Sequence, residues 1–288
     1  MGGEVVTQAR APGAEAAIAV ASRVREVELR PLKIRATAAA AAASMFVFIV
    51  ASYSATAVAA PPEDPPENWI HRVAARETET EAARSHYTYR QIATVEDFDP
   101  KGLKTGLYKE IREVVFSPTG ERTEQLVGKP VMRLDRIKLT AEDFRDLREV
   151  QPALIAKETL FLYDRQYRGE DTVDGIDCWM LEIRPKQILA GERLFDGTLW
   201  IDKRDFSTIR TSGQAVPQIR TLKDENLFPR FTTVRSKIDG DHWFPAKTLG
   251  DDVLQFRTGP QRIRLTVDYS NYQRFGAESK ITFGDAKP

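Results

Sequence analysis

The chain has 288 residues, 42 basic against 42 acidic side chains, three histidines, one cysteine and 42% hydrophobic residues. A formal charge of zero without a long basic run excludes an ordinary nucleic-acid binder, which needs a cationic face to displace counterions. The lone Cys178 excludes an intramolecular disulfide and a multi-cysteine zinc site, and the apolar content is that of a globular chain, not a disordered one.

Residues 36–60 carry no charge and follow Arg30, Lys33 and Arg35. Ala57 and Ala59 give a small-residue exit before Pro61 and Pro62, so residues 36–59 read as the apolar region and cleavage site of a secretory signal peptide, cut after Ala59. The run is also long enough to span a bilayer as an uncleaved anchor. Its strongly apolar part, however, is confined to Met45–Val50, and alanine adds little insertion energy, which favours cleavage. Residues 1–35 are too long for an n-region and contain Glu4, Glu15, Glu26 and Glu28; they read as sequence upstream of the true start or as a cytoplasmic tail. A chain with one cysteine suits an oxidising compartment, which in a bacterium with two membranes is the periplasm.

Residues 60–66 form a proline-rich acidic linker, and residues 67–284 read as a single domain. A helix begins at Asn68, with Ile70, Val73, Ala74 and Ala82 on a stripe weak enough to place it on a surface rather than in the core. From His86 the period becomes two. Tyr87–Val95 and Tyr108–Phe116 are strands, and Ser117-Pro118-Thr119-Gly120 turns the chain into a third strand over residues 121–134. Thr140 caps a short helix with acids in its first turn and Phe144, Leu147 and Val150 facing inward. Leu160–Tyr163 and Ile176–Ile183 then form a hairpin through Asp174-Gly175, a strong turn signal. Residues 197–202 pair with 206–214, and 230–238 with 242–249 around Asp239-Gly240. The last strand alternates Ile263, Leu265, Val267 and Tyr269 with polar residues. Hairpins in series with few helices predict a mainly β (α+β) fold, a curved antiparallel sheet or half-barrel of about eleven strands with covering helices. Charge mixed into the strand faces, as at Glu110 and Arg112, excludes an outer-membrane barrel.

Catalytic chemistry finds little support. His71, His86 and His242 have no Gly-x-Ser-x-Gly partner, and the turn of Asp239, Asp241 and His242 reads as solvated rather than metal-binding. Neither a calcium-hand nor a phosphate-binding motif occurs. Cys178 reads as a small buried hydrophobe. No catalytic residue, cofactor or metal is expected. What remains is apolar surface: Leu160–Tyr163 and Ile176–Ile183 are apolar on both strand faces, and a second apolar face requires a cover. That cover is either a helix or an enclosed apolar ligand, with Leu160, Leu162, Trp179, Leu181, Trp200 and Trp243 as candidate ligand-binding residues.

The stretch Gly197-Thr198-Leu199-Trp200-Ile201-Asp202 with its return through Ile209-Arg210, and Asp239-Gly240-Asp241-His242-Trp243-Phe244-Pro245, resemble the lipoprotein-localisation-factor superfamily, the LolA/LolB-like fold with its outer-membrane lipoprotein-sorting relatives. The resemblance covers roughly residues 66–283. It implies a half-barrel lidded by helices and a non-enzymatic role: an exported carrier or binder of lipid or lipoprotein acyl chains in an apolar cavity, with membrane-associated donor and acceptor proteins as partners. A different role on the same fold is a periplasmic sensory or interaction domain regulating envelope stress, whose cavity would be small or filled by side chains.

Overall fold

The computed structural model describes residues 64–117, 121–149, 155–188, 193–221 and 225–275; the signal-like run and its cleavage site lie outside them. In chain order the elements are α1 (Trp69–Arg84), β1 (Tyr87–Phe98), β2 (Lys104–Phe116), β3 (Arg122–Leu126), β4 (Val131–Arg133) and α2 (Ala141–Glu149). A short 3-10 turn (Leu160–Leu162) follows, then β5 (Tyr163–Val173), β6 (Ile176–Pro185), β7 (Leu194–Asp202) and β8 (Thr208–Val216). The chain finishes through β9 (Ile219–Arg220), β10 (Glu225–Asn226), β11 (Phe231–Ile238), β12 (His242–Phe256) and β13 (Gly259–Arg274).

Eleven strands form one antiparallel sheet in the order β3-β2-β1-β13-β12-β11-β8-β7-β6-β5, with β4 also on β2, while β9 and β10 pair separately. The edges, β3 with β4 and β5, do not meet, so the sheet is open and curved rather than a closed barrel. Register shifts at Thr88/Arg90, Tyr167/Glu170, Trp200/Ile201 and Val234/Arg235 bend their strands, as bulges do. The predicted Asp-Gly turns hold: Asp174 and Gly175 have φ of 52° and 79°, and Asp239 and Gly240 have 50° and 81°. That left-handed pair is the conformation a two-residue hairpin turn demands.

One face of the sheet carries the main core. Tyr89, Val95, Tyr108, Leu181, Ile183, Leu199, Ile201, Leu265 and Val267 are buried there with Trp69, Val73 and Ala74 of α1 and Leu147 of α2. Gly197 and Gly213 face each other across β7 and β8, and a Cβ on either would run into backbone and the Phe195 ring. That close approach is what requires glycine at both positions.

Three expectations need correction. α1 is not a surface helix: it buries Trp69, Val73, Ala74, Glu77 and Thr80. Its apolar stripe is weak in sequence because two of those five residues are polar, Glu77 meeting Arg235 of the sheet. The predicted third strand divides into β3 and β4, both laid along β2. Leu160–Leu162 is a 3-10 turn, and the strand begins only at Tyr163. α2 starts as the sequence indicates, through a reciprocal cap: the Asp143 amide donates to Thr140 Oγ1 (3.2 Å), and the Thr140 amide donates to Asp143 Oδ2 (2.6 Å).

Candidate functional site

The six sequence-derived candidates do not line one space. Leu160, Trp179 and Leu181 are buried in the main core, and Leu162 packs against it. Trp179 is covered by Trp69 of α1, whose ring meets it edge-on at 5.7 Å. Trp200 lies between the inward Leu199 and Ile201, so it projects from the opposite face. There Trp200 and Trp243 pack against a smaller cluster of Val173, Cys178 and Ile209. Trp200 Nε1 donates to Asp171 Oδ2 at 2.8 Å, holding that carboxyl below its usual range, and the Arg210 guanidinium stacks over the indole. The segment that is apolar on both faces in sequence is therefore covered by α1 on one side and by neighbouring side chains on the other.

An apolar opening among the described residues lies elsewhere on the core face. Val95 of β1, Leu254 and Phe256 of β12, and Ile263 and Leu265 of β13 form its floor. Ile137 and Leu139, Leu147 of α2, and Leu227, Phe228 and Pro229 ahead of β11 form its walls. Its volume is about 40 Å³. At roughly 10–15 Å³ per water, that is room for about three waters and not for an acyl chain. The floor is otherwise occupied by the cover itself.

Polar contacts hold the cover down. Asn226 Nδ2 donates to Asp143 Oδ1 (2.8 Å) and Asp146 Oδ2 (3.0 Å), joining α2 to the segment that ends at Pro229. Arg193 approaches Asp146 at 3.2 Å and also donates to the Asn226 carbonyl. Gln91 Nε2 donates from β1 to the Leu147 carbonyl (3.1 Å), and Arg122 donates to the Arg148 carbonyl, placing a cation at the negative end of α2. Gln218 exchanges two hydrogen bonds with the Phe228 backbone. The buried Asp97 accepts the Asp135 and Arg136 amides, anchoring the loop that leads to Ile137. Desolvation raises the Asp143 and Asp146 carboxyls, against the lowering effect of Thr140 and Asn226 on Asp143, of Asn226 on Asp146, and of Arg193 on both.

A second clasp fixes α1. Arg235 of β11 donates from Nη1 and Nη2 to Glu77 Oε1 (2.7 Å) and Oε2 (3.0 Å), with both residues almost fully buried, and Nη1 also reaches the Thr208 carbonyl. The fork-to-fork geometry is the strongest form of this pairing. A single Arg at 235 and a Glu at 77 in a strongly charged background give the pair no signal in the sequence. The cleft leaves one clear sequence signal, Leu227-Phe228-Pro229, an apolar run that follows the charged segment 221–225 after Asn226.

Reactive groups are dispersed. Cys178 is buried and its thiol is pushed up to about 12, chiefly by desolvation, so the thiolate is scarce at neutral pH. His86 Nδ1 bonds the Ala82 carbonyl, and His242 stacks on Phe244 with its pKa lowered by burial and then by Arg76. His71 lies on α1, away from both. Among the described residues no group of three or more His, Cys, Asp or Glu could hold a metal ion.

No family model matches the sequence, and no curated protein matches it. Among solved structures the chain is similar to a DUF1329 family protein from Desulfovibrio piger, at 18% identity over 75% of this chain and 96% of that one, with a TM-score of 0.39. It is similar to a LolA superfamily protein from Nitrosomonas europaea (14% identity, 70% and 94% covered, TM-score 0.32). It is also similar to a putative outer membrane lipoprotein-sorting protein domain from Vibrio parahaemolyticus (10% identity, 71% and 93% covered, TM-score 0.32). Overlaps this loose carry neither residues nor activity across.

Proposed function

We propose that the protein is an exported, periplasmic binder of lipid or lipoprotein acyl chains that takes its ligand between the curved sheet and the cover formed by α2 and residues 225–229. The observation that carries this reading is the cleft itself: mostly apolar on floor and walls, with Lys138, Asp143 and Glu225 also in its lining, and closed by a cover held through hydrogen bonds and ion pairs. Lifting the cover exposes the floor of Val95, Leu254, Phe256, Ile263 and Leu265 to an acyl chain, which then packs where the side chains of the cover had lain. Each buried methylene contributes about 0.8 kcal/mol, so roughly ten would supply about 8 kcal/mol before the cost of opening, the scale of micromolar affinity. A carrier of this kind binds tightly enough to shield the chain and weakly enough to release it.

The test is uptake of a fluorescent fatty acid by residues 60–288. Phe256→Asp puts a charge into the floor and should abolish uptake, whereas Trp200→Asp, on the opposite face, should leave it intact. Equal loss in both variants, or no uptake by the unmodified chain, would contradict the assignment. The second reading is a periplasmic interaction domain that works through its surface, and one observation favours it: the resting cleft has no room for a chain. Failure of uptake together with capture of a protein partner would select it.

A further inference from the structure

We infer that the surface around the 3-10 turn Leu160–Leu162 is a docking site for an anionic lipid surface. Phe161 is 68% exposed and Ile188 59% exposed, the first and third most exposed of the large hydrophobic side chains described. Two shallow depressions of about 340 Å³ each adjoin the turn and share His71 and Arg165; Lys157 and Lys186 line the one that contains Phe161. An exposed aromatic ringed by cations matches an interface of apolar chains beneath negative headgroups. Among the described residues, none of Lys157, Arg165, Lys186 or His71 forms one of the ion pairs that engage most other cations of the sheet. The nearby acids are Asp64, next to Pro65, and Glu67, both by one depression, Glu158 beside Lys157, and Asp164, which stands opposite Arg184 in the strand register while that guanidinium pairs with Glu182 and Asp196.

The turn is preorganised. Arg165 donates to the Leu160 carbonyl at 3.0 Å, and the Lys186 amide donates to the Leu162 carbonyl at 2.9 Å, so Phe161 is presented on a fixed loop. Among the described residues no helix is long and apolar enough to cross a membrane, and the contact is one of surface docking.

The experiment is co-sedimentation of residues 60–288, which fall within one compact unit, Ala59–Pro288, with phosphatidylcholine vesicles alone or containing phosphatidylglycerol. Binding is expected only with the anionic vesicles, falling at high salt. Combined Lys157→Glu and Lys186→Glu should weaken it by roughly thirty-fold or more, on the basis of one lysine's contribution at an anionic surface. Phe161→Ser should weaken it without changing the salt dependence, and Phe161→Trp should add a blue-shifted emission on anionic vesicles. No binding to either composition, equal binding to both, or binding unaffected by the charge reversals overturns the inference. Fatty-acid uptake is measured separately, so failure here leaves the cleft assignment standing.

Discussion

Arg235→Met is the sharpest probe of how the cover helix α1 is held. The substitution removes the guanidinium but keeps much of its volume, leaving the Glu77 carboxylate at 2% exposure without its two hydrogen bonds. Breaking a buried pair by removing one partner costs about 3–5 kcal/mol, because the remaining charge is uncompensated. For a domain of this size each kcal/mol moves the melting temperature by about 2–4 °C, so the expected fall is about 6–20 °C. Glu77→Leu alone should cost a similar amount. The double variant should recover most of the loss, since a buried pair exchanged for packed hydrophobes is often neutral or better. The assay is urea and thermal unfolding of residues 60–288, read as a double-mutant cycle. A single-variant cost under about 1 kcal/mol, or a double variant as unstable as the sum of the singles, would refute the assignment of this pair as the clasp of α1.

Asn226→Ala removes the donor shared by Asp143 and Asp146, so it should speed amide exchange in α2 and residues 225–229 and raise the rate of fatty-acid uptake; unchanged exchange would show that the contact does not hold the cover. The Asp143 and Asp146 carboxyls are raised above the ordinary value of 3.8, so the folded cover binds protons more readily than the open chain. Their contribution to closure is therefore fully present below that value and is lost as pH rises through the raised folded values. Exchange in α2, corrected for its intrinsic rate, should be slower just above pH 3.8 than at neutral pH, and the opposite trend would contradict the sign. Gly213→Ala forces a Cβ into the Asp196 carbonyl and the Phe195 ring and should destabilise by about 1–3 kcal/mol in denaturant melts. Cys178 should resist maleimide in the native protein at pH 8 and react on unfolding; fast native labelling would contradict its burial.

The β content, the Asp-Gly hairpins, the long final strand and the Thr140 cap were legible in the sequence because each rests on local chemistry: period-two alternation, left-handed turn residues and a side-chain oxygen three residues before its partner. The strand order was legible only as a fold class, since pairing of β1 with β13 brings Tyr87 against Arg274 and leaves no local trace. Burial of α1 escaped notice because Glu77 and Thr80 interrupt the apolar stripe, and only the distant Arg235 explains why a glutamate is tolerated inside. The faces on which the candidate residues lie were hidden in a similar way. Trp179 and Trp200 sit on adjacent strands of one hairpin series, yet alternation puts them on opposite faces. The register that decides this, Trp179 opposite Ile201 and Met180 opposite Trp200, depends on strand pairing rather than composition. Leu254 and Phe256 escaped because β12 runs well past the Leu249 at which the alternation fades.

Native mass spectrometry of residues 60–288, purified from a periplasm without detergent and followed by solvent extraction, tests the acyl-binding claim most directly. A fraction of the protein should carry a phospholipid or acylated peptide, reduced by Phe256→Asp and unaffected by Trp200→Asp. A chain that is empty in every preparation, and stays empty after incubation with a fatty acid even when Asn226→Ala has loosened the cover, would contradict it.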